Sequence, residues 1–248
     1  MSADLGSEPP IPSRDHLFPR RAVALIEVLL CSDIPTQVAL GGTLIALGYP
    51  AKINGHLNIT YIIASQVGDA VLLIGLVVAL LYAHGERPRD VLFGRRPIAG
   101  EAALGVPLTL IAMGIAIAVL LSVQRFAPSL HTVPDNPLQD LLLTRRNAWL
   151  FAFMVIVAGG VREEVQRAFL LHRFDTWLGG PIVGLVVTSV AFGWGHEQVQ
   201  GVDAALATGL LGAFWGAVYL LRRSSVAPMV SHAGFDLLQI GLFLIARK

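Results

Sequence analysis

Seven stretches of the chain stay apolar for long enough to lie in a bilayer, where a spanning helix needs about 20 such residues. The first, Ala22 to Leu47, is interrupted by Glu27, Asp33 and Pro35. It reads either as one kinked span or as an interfacial helix leading into a shorter span. The second, Ile59 to Ala83, contains Asp69, which is expected to pack inward against other helices. The third covers about Ala102 to Val123. A fourth helix runs from about Ala148 through a charged stretch to Trp177, where Gly179, Gly180 and Pro181 break it. The fifth runs from Ile182 to about His196, the sixth from about Val202 to Leu221, and the seventh from Val226 to Ala246. Of the polar intervals, Gly85 to Pro97 is a loop rich in arginine. Gln124 to Asn147, with Pro128, Pro134 and Pro137, reads as a loop with a short helix near Leu138 to Leu143. Met1 to Arg21 is polar and Pro-rich and lacks an apolar core, so it reads as a disordered cytosolic lead and not as a cleaved signal peptide. The pattern predicts an all-α polytopic membrane helix bundle of about seven transmembrane helices. Residues 1–21 form the lead, 22–147 the N-terminal membrane helices, and 148–248 the rest of the same membrane domain.

Composition sharpens this. Only 14% of the 248 residues are charged and 54% are hydrophobic, against about 25% charged in soluble domains. The net charge of +1 gives no sign of a nucleic-acid partner. A single cysteine, Cys31, excludes an intrachain disulfide, and no Cys/His cluster has the spacing of a structural zinc site. With the N-terminus on one side and spans alternating, that side collects ten loop or terminal basic residues and the other six. The bias toward a basic cytoplasmic side places the N-terminus in the cytoplasm. There is no internal repeat of the kind that marks many transporters.

Against this apolar background the stretch Val161 to Phe169 stands out. Arg162, Glu163 and Glu164 follow an apolar run, and Arg167 comes about one helical turn later. A charge in a bilayer costs several kcal/mol, with estimates from about 2.5 upward, so adjacent carboxylates there point to function. On an α-helix Glu163 and Arg167 are spaced i, i+4 and share a face, with Glu164 turned about 100° away. One carboxylate is then expected to pair with Arg167 while the other points elsewhere. Two more apolar spans carry misplaced polar groups. Phe192 and His196, and likewise His232 and Asp236, are spaced i, i+4 on single helix faces. Counting from the break, Glu163 lies 14 residues before Trp177 and His196 lies 16 after Gly180. At about 1.5 Å per residue the two reach nearly the same depth in an antiparallel pair.

A carboxylate and a neutral imidazole can hold a water between them and remove its proton. A second histidine, paired with a carboxyl group, can donate hydrogen bonds to an oxyanion. Together these groups suit peptide hydrolysis with water as nucleophile. The same groups, Glu163, His196 and His232, could instead ligate zinc. The metalloprotease helix signature is absent, because His196-Glu197 is followed by Gln200 where a second histidine would stand.

In these residues the chain resembles the CPBP family, the CAAX proteases and bacteriocin-processing enzymes also called type II CAAX prenyl endopeptidases or the Abi family. That family carries Glu-Glu-x-x-x-Arg, Phe-x-x-x-His and His-x-x-x-Asn/Asp, in this order, on membrane helices. Phe192 to His196 and His232 to Asp236 match the second and third motifs. The first, Glu163-Glu164-Val165-Gln166-Arg167, is one residue short. Anchored on the glutamates, the family pair is Glu163 and Glu164; anchored on Arg167, it is Arg162 and Glu163. The resemblance implies that the first glutamate and His196 activate water while His232 and Asp236 form the oxyanion hole. No cofactor is expected, because no spacing fixes three ligands on one helix or loop; zinc is the alternative, in line with the family's older label as metalloproteases. It implies a membrane-embedded or membrane-associated peptide substrate, and a multi-pass position in the cytoplasmic membrane of a prokaryote. The competing reading, favoured by the shortened motif, is a catalytically inactive scaffold or immunity-type protein of the same fold.

Overall fold

The computed structural model describes residues 14–131, 141–142 and 144–246. It is an all-α bundle with one two-residue hairpin, Lys52–Ile53 against His56–Leu57 in antiparallel register. The helices are α1 (Arg14–Leu30), α2 (Ile34–Ala46), α3 (Ile59–Ala83), α4 (Pro88–Leu92), α5 (Ile98–Phe126), α6 (Arg145–Val155), α7 (Glu164–Trp177), α8 (Pro181–Gln200), α9 (Val202–Arg222) and α10 (Val226–Ala246). Between α6 and α7 the helix continues without a break but widens into a π-helical segment, Ile156–Glu163.

Among the described residues, five helical stretches are long and apolar enough to cross a membrane: Pro19–Ala46, α3, α5, α9 and α10. Their outer faces carry exposed apolar side chains such as Val71, Leu110, Leu121 and Ile245, as expected where lipid is the solvent. The stretch Ala22 to Leu47 resolves as two helices broken at Asp33, whose φ is +73°. The bounds expected for the second and seventh spans coincide with α3 and α10. The lead is shorter than its polarity suggested: α1 already begins at Arg14. Arg20 lies over the ring of Trp177 at 5.3 Å, which ties the start of α1 to the end of α7. Residues 1–13 lie outside the described residues, as does most of the short helix expected near Leu138 to Leu143. Leu141 and Leu142, which are described, are buried against α6 and α10.

Lipid tails are as apolar as leucine, so helices in a bilayer associate through close packing and polar contacts more than through hydrophobic burial. The chain follows that rule. A Cβ on Gly193 of α8 would stand 2.6 Å from the Ala205 carbonyl of α9, and one on Gly105 of α5 would stand 2.8 Å from the Ala227 carbonyl of α10. These small residues bring backbones together. The starts of α3 and α6 are capped by side chains: Asn58 accepts from the amide of Thr60 (3.1 Å) and Thr144 from that of Asn147 (3.2 Å).

Candidate active site

The π segment is where the polar residues are sorted. Its wider turn leaves Gly159 and Gly160 facing α10 at very short range. A Cβ on Gly159 would lie 2.6 Å from Asp236 Oδ2 and 3.6 Å from His232 Nε2, and one on Gly160 would lie 2.7 Å from Ala233 Cβ. Glycine is therefore what admits α10 with its histidine and aspartate. A π turn carries an extra residue compared with an α turn and is common at functional sites.

Glu163 ends the segment and Glu164 begins α7. Both carboxylates reach His232. The ring Nδ1 donates to Glu164 Oε1 at 2.8 Å. The other nitrogen, Nε2, lies 3.8 Å from Glu163 Oε2 and 3.8 Å from Asp236 Oδ2. Glu164 is sealed, its side chain 1% exposed, whereas Glu163 and Asp236 keep 16% and 20%. The two partly exposed carboxylates thus both lie beside Nε2, and the sealed one lies at Nδ1.

Arg167 pairs with Glu164, not with Glu163, its i, i+4 neighbour. Regular α geometry starts at Glu164, which is the i, i+3 neighbour of Arg167 within the same helix. The guanidinium also lies 4.7 Å from the ring of Phe192 and 5.8 Å from that of Trp215. Trp215 of α9 stacks on His232, with ring centroids 3.9 Å apart and planes 16° from parallel, and its Nε1 donates to Ser231 Oγ at 3.0 Å. Sequence reading missed Trp215 because an aromatic in an apolar span looks like packing.

His196 joins through Phe192. Phe192 stands edge-on to both histidines, 4.8 Å from His196 and 6.2 Å from His232. The Nδ1 of His196 lies 2.8 Å from the Phe192 carbonyl. A carbonyl can only accept, so Nδ1 carries a proton, and in the neutral ring Nε2 is the acceptor, the form a general base needs. Two cavities, one between α1 and α7 and one between α5 and α10, lie away from this cluster.

Arg162 does not share this face. It turns toward α2 and α3, where Nη1 donates to Asp33 Oδ2 (2.5 Å), Nε lies 3.2 Å from Asp69 Oδ2, and Nη2 donates to Gln66 (3.3 Å). Gln166 extends the cluster by donating to the Cys31 carbonyl at 2.7 Å. Asp69 is buried, as expected, but its partner was not legible. The pair of carboxylates directed at His232 is thus Glu163 and Glu164. A zinc ion would need three donors at about 2.0–2.2 Å. Among the described residues no three His, Cys, Asp or Glu side chains are gathered to hold a metal ion.

Compared with family models, residues 145–238 match the one described as type II CAAX prenyl endopeptidase Rce1-like. Neither a curated protein nor a solved structure matches the chain.

Proposed function

Residues 145–238 belong to the type II CAAX prenyl endopeptidase Rce1-like family, and on that premise we propose that this integral membrane protein is an intramembrane endopeptidase of glutamic type. It hydrolyses peptide bonds of membrane-associated substrates. Glu163 and His196 hold and deprotonate the attacking water, while His232 and Asp236, each in its protonated form, donate hydrogen bonds to the oxyanion.

The observation that carries the reading is the convergence on His232. Two partly exposed carboxylates face one imidazole nitrogen, while a third, sealed carboxylate holds the other nitrogen. Glu164 fixes the ring by accepting from Nδ1, and Trp215 fixes its plane. With Nδ1 committed, Nε2 donates to an oxyanion when the ring carries both protons, and Asp236 lies beside that nitrogen. Arg167 supplies the charge that lets Glu164 remain a carboxylate in a sealed place. Glu163 is then the carboxylate left for water, with an exposed edge, while Arg167 is committed to Glu164. His196, with its acceptor nitrogen unprotonated, is the second group able to take the proton.

The test is hydrolysis of a panel of membrane-associated peptides by the purified protein in lipid, run in ¹⁸O water. The expected product carries one ¹⁸O atom in its new carboxyl group, and its formation survives exhaustive chelation. No cleavage of any peptide, or activity that is lost on zinc removal and restored on zinc return, would overturn this mechanism.

A further inference from the structure

A second set of buried charges has no part in this chemistry. It lines a cavity of about 380 Å³ between α1, the end of α3 and the end of α7, within the range of small-ligand pockets. Its polar wall is Arg20, Glu27, His84, Glu86, Arg173 and Thr176. Arg173 is 1% exposed and organises the wall. Its Nε donates to Glu27 Oε2 at 2.5 Å and its Nη1 to Glu86 Oε2 at 2.6 Å, while Nη2 is buried without a hydrogen-bond partner. His84 meets Glu27 Oε1 at 2.5 Å, and His172 meets Glu86 Oε1 at 2.6 Å.

Two features indicate what this cavity takes. The first is its level. The membrane-crossing stretches begin at Pro19 and end at Ala83, and Pro19 and His84 both line the cavity. It therefore opens where headgroups meet the hydrocarbon. Trp177, an interfacial residue type, lies on its rim, and the apolar outer face of α1 continues from Val23, 42% exposed, to Ile26, 55% exposed. The second feature is its charge. Two guanidinium groups oppose two carboxylates, so with neutral histidines the wall is balanced. Each carboxylate oxygen that accepts one hydrogen bond retains a further lone pair. Among the described residues the Arg20 guanidinium meets an aromatic face and no carboxylate. A balanced wall with both signs on offer suits a zwitterion better than a simple anion.

We propose that this cavity binds the headgroup of a zwitterionic aminophospholipid. The phosphodiester lies against Arg20, the primary ammonium donates to Glu86 and Glu27, and an acyl chain follows the outer face of α1. A quaternary ammonium cannot donate to those carboxylates, so the site discriminates between the two zwitterionic headgroups. Nothing in this proposal depends on proteolysis.

The experiment is lipid titration of the full-length detergent-solubilised protein, read by native mass spectrometry. It compares phosphatidylethanolamine, phosphatidylcholine and phosphatidylglycerol of one chain length, with phosphoethanolamine alone as the arm that separates a lipid from a free phosphate ester. Phosphatidylethanolamine is expected to bind about tenfold more tightly than either other lipid, equivalent to about 1.4 kcal/mol. Arg20→Gln is expected to weaken it about tenfold, and Glu86→Gln to remove the preference over phosphatidylcholine. Both variants are checked for wild-type melting. Equal affinity for all three lipids, tighter binding of phosphatidylglycerol, binding of phosphoethanolamine as tight as that of the lipid, or unchanged binding in Arg20→Gln would each overturn it.

Discussion

The two faces of the π segment bury charge in opposite ways. On one, Arg162 is 1% exposed and clamps Asp33, Asp69 and Gln66 from α2 and α3. On the other, one residue further on, Glu163 meets His232 and Asp236 with an edge open to water. Both faces would be costly in lipid, so cost alone does not identify the reactive one. The difference lies in composition and access. The first face combines a permanent cation with carboxylates and an amide that hold each other. The second places the His232 imidazole among carboxylates and leaves two acid groups partly exposed, the arrangement that proton transfer requires. Buried charge in a membrane bundle can therefore be scaffold or chemistry within a single helical turn.

The largest stability effect should come from breaking the scaffold face. Arg162→Ala leaves Asp33 and Asp69 without their cation, and removing one partner of a buried ionic cluster costs about 3–5 kcal/mol. Folded yield in detergent should collapse, as measured by size-exclusion and thermal unfolding. A variant that melts like wild type would dissolve the distinction between the faces.

Arg167→Ala should come next and should affect both properties. It strands Glu164, 1% exposed, beside His232, so folded yield falls and hydrolysis falls with it. Full activity at normal yield would remove Arg167 from the account.

Gly159→Ala sharpens the comparison because its added methyl meets the reactive face alone. The contact of 2.6 Å with Asp236 Oδ2 must be relieved by moving that side chain or α10. Overpacking typically costs about 1–3 kcal/mol. Activity should fall by at least about tenfold while the protein remains folded, seen by comparing turnover with melting temperature. Unchanged turnover would mean that Asp236 is not held where the oxyanion hole needs it.

How much of this was legible in the sequence follows the same division. Long apolar runs set α3 and α10, and Gly180-Pro181 set the start of α8, because length and backbone chemistry decide those features locally. The misplaced polar residues Glu163, Glu164, His232 and Asp236 were legible as a set because lipid penalises each of them. Pairing was not. An α-helical wheel leaves both Glu163 (i, i+4) and Glu164 (i, i+3) as neighbours of Arg167, and spacing alone does not say that Glu164 takes it. The partners of Arg162 come from Asp33 and Asp69, more than 90 residues upstream, and no local spacing encodes that contact. Trp215 was hidden by being apolar in an apolar helix.

The smallest effect belongs to a part-buried ion pair away from both faces. Burial raises the Glu86 carboxyl, but hydrogen bonds from His172 and Arg173 outweigh it and hold the group below its ordinary value of 4.5. A carboxylate depressed on folding stabilises the native state above the unfolded value, and that contribution is lost as pH falls through the folded value. Wild type should therefore lose stability below about pH 4.5 slightly more steeply than Glu86→Gln. Solvent screening keeps the difference under about 1 kcal/mol. Identical acid profiles would show the pair to be energetically silent.

The central claim, that Glu163 is the water-activating carboxylate, is tested most directly by single-turnover hydrolysis with Glu163→Gln in a lipid bilayer, set beside its melting temperature. The amide keeps the shape of the side chain and removes the base. The account predicts a wild-type melting temperature and a rate lowered by at least about 10²-fold, the lower end of what a positioned base contributes. Hydrolysis within a few-fold of wild type in a folded Glu163→Gln protein would contradict it.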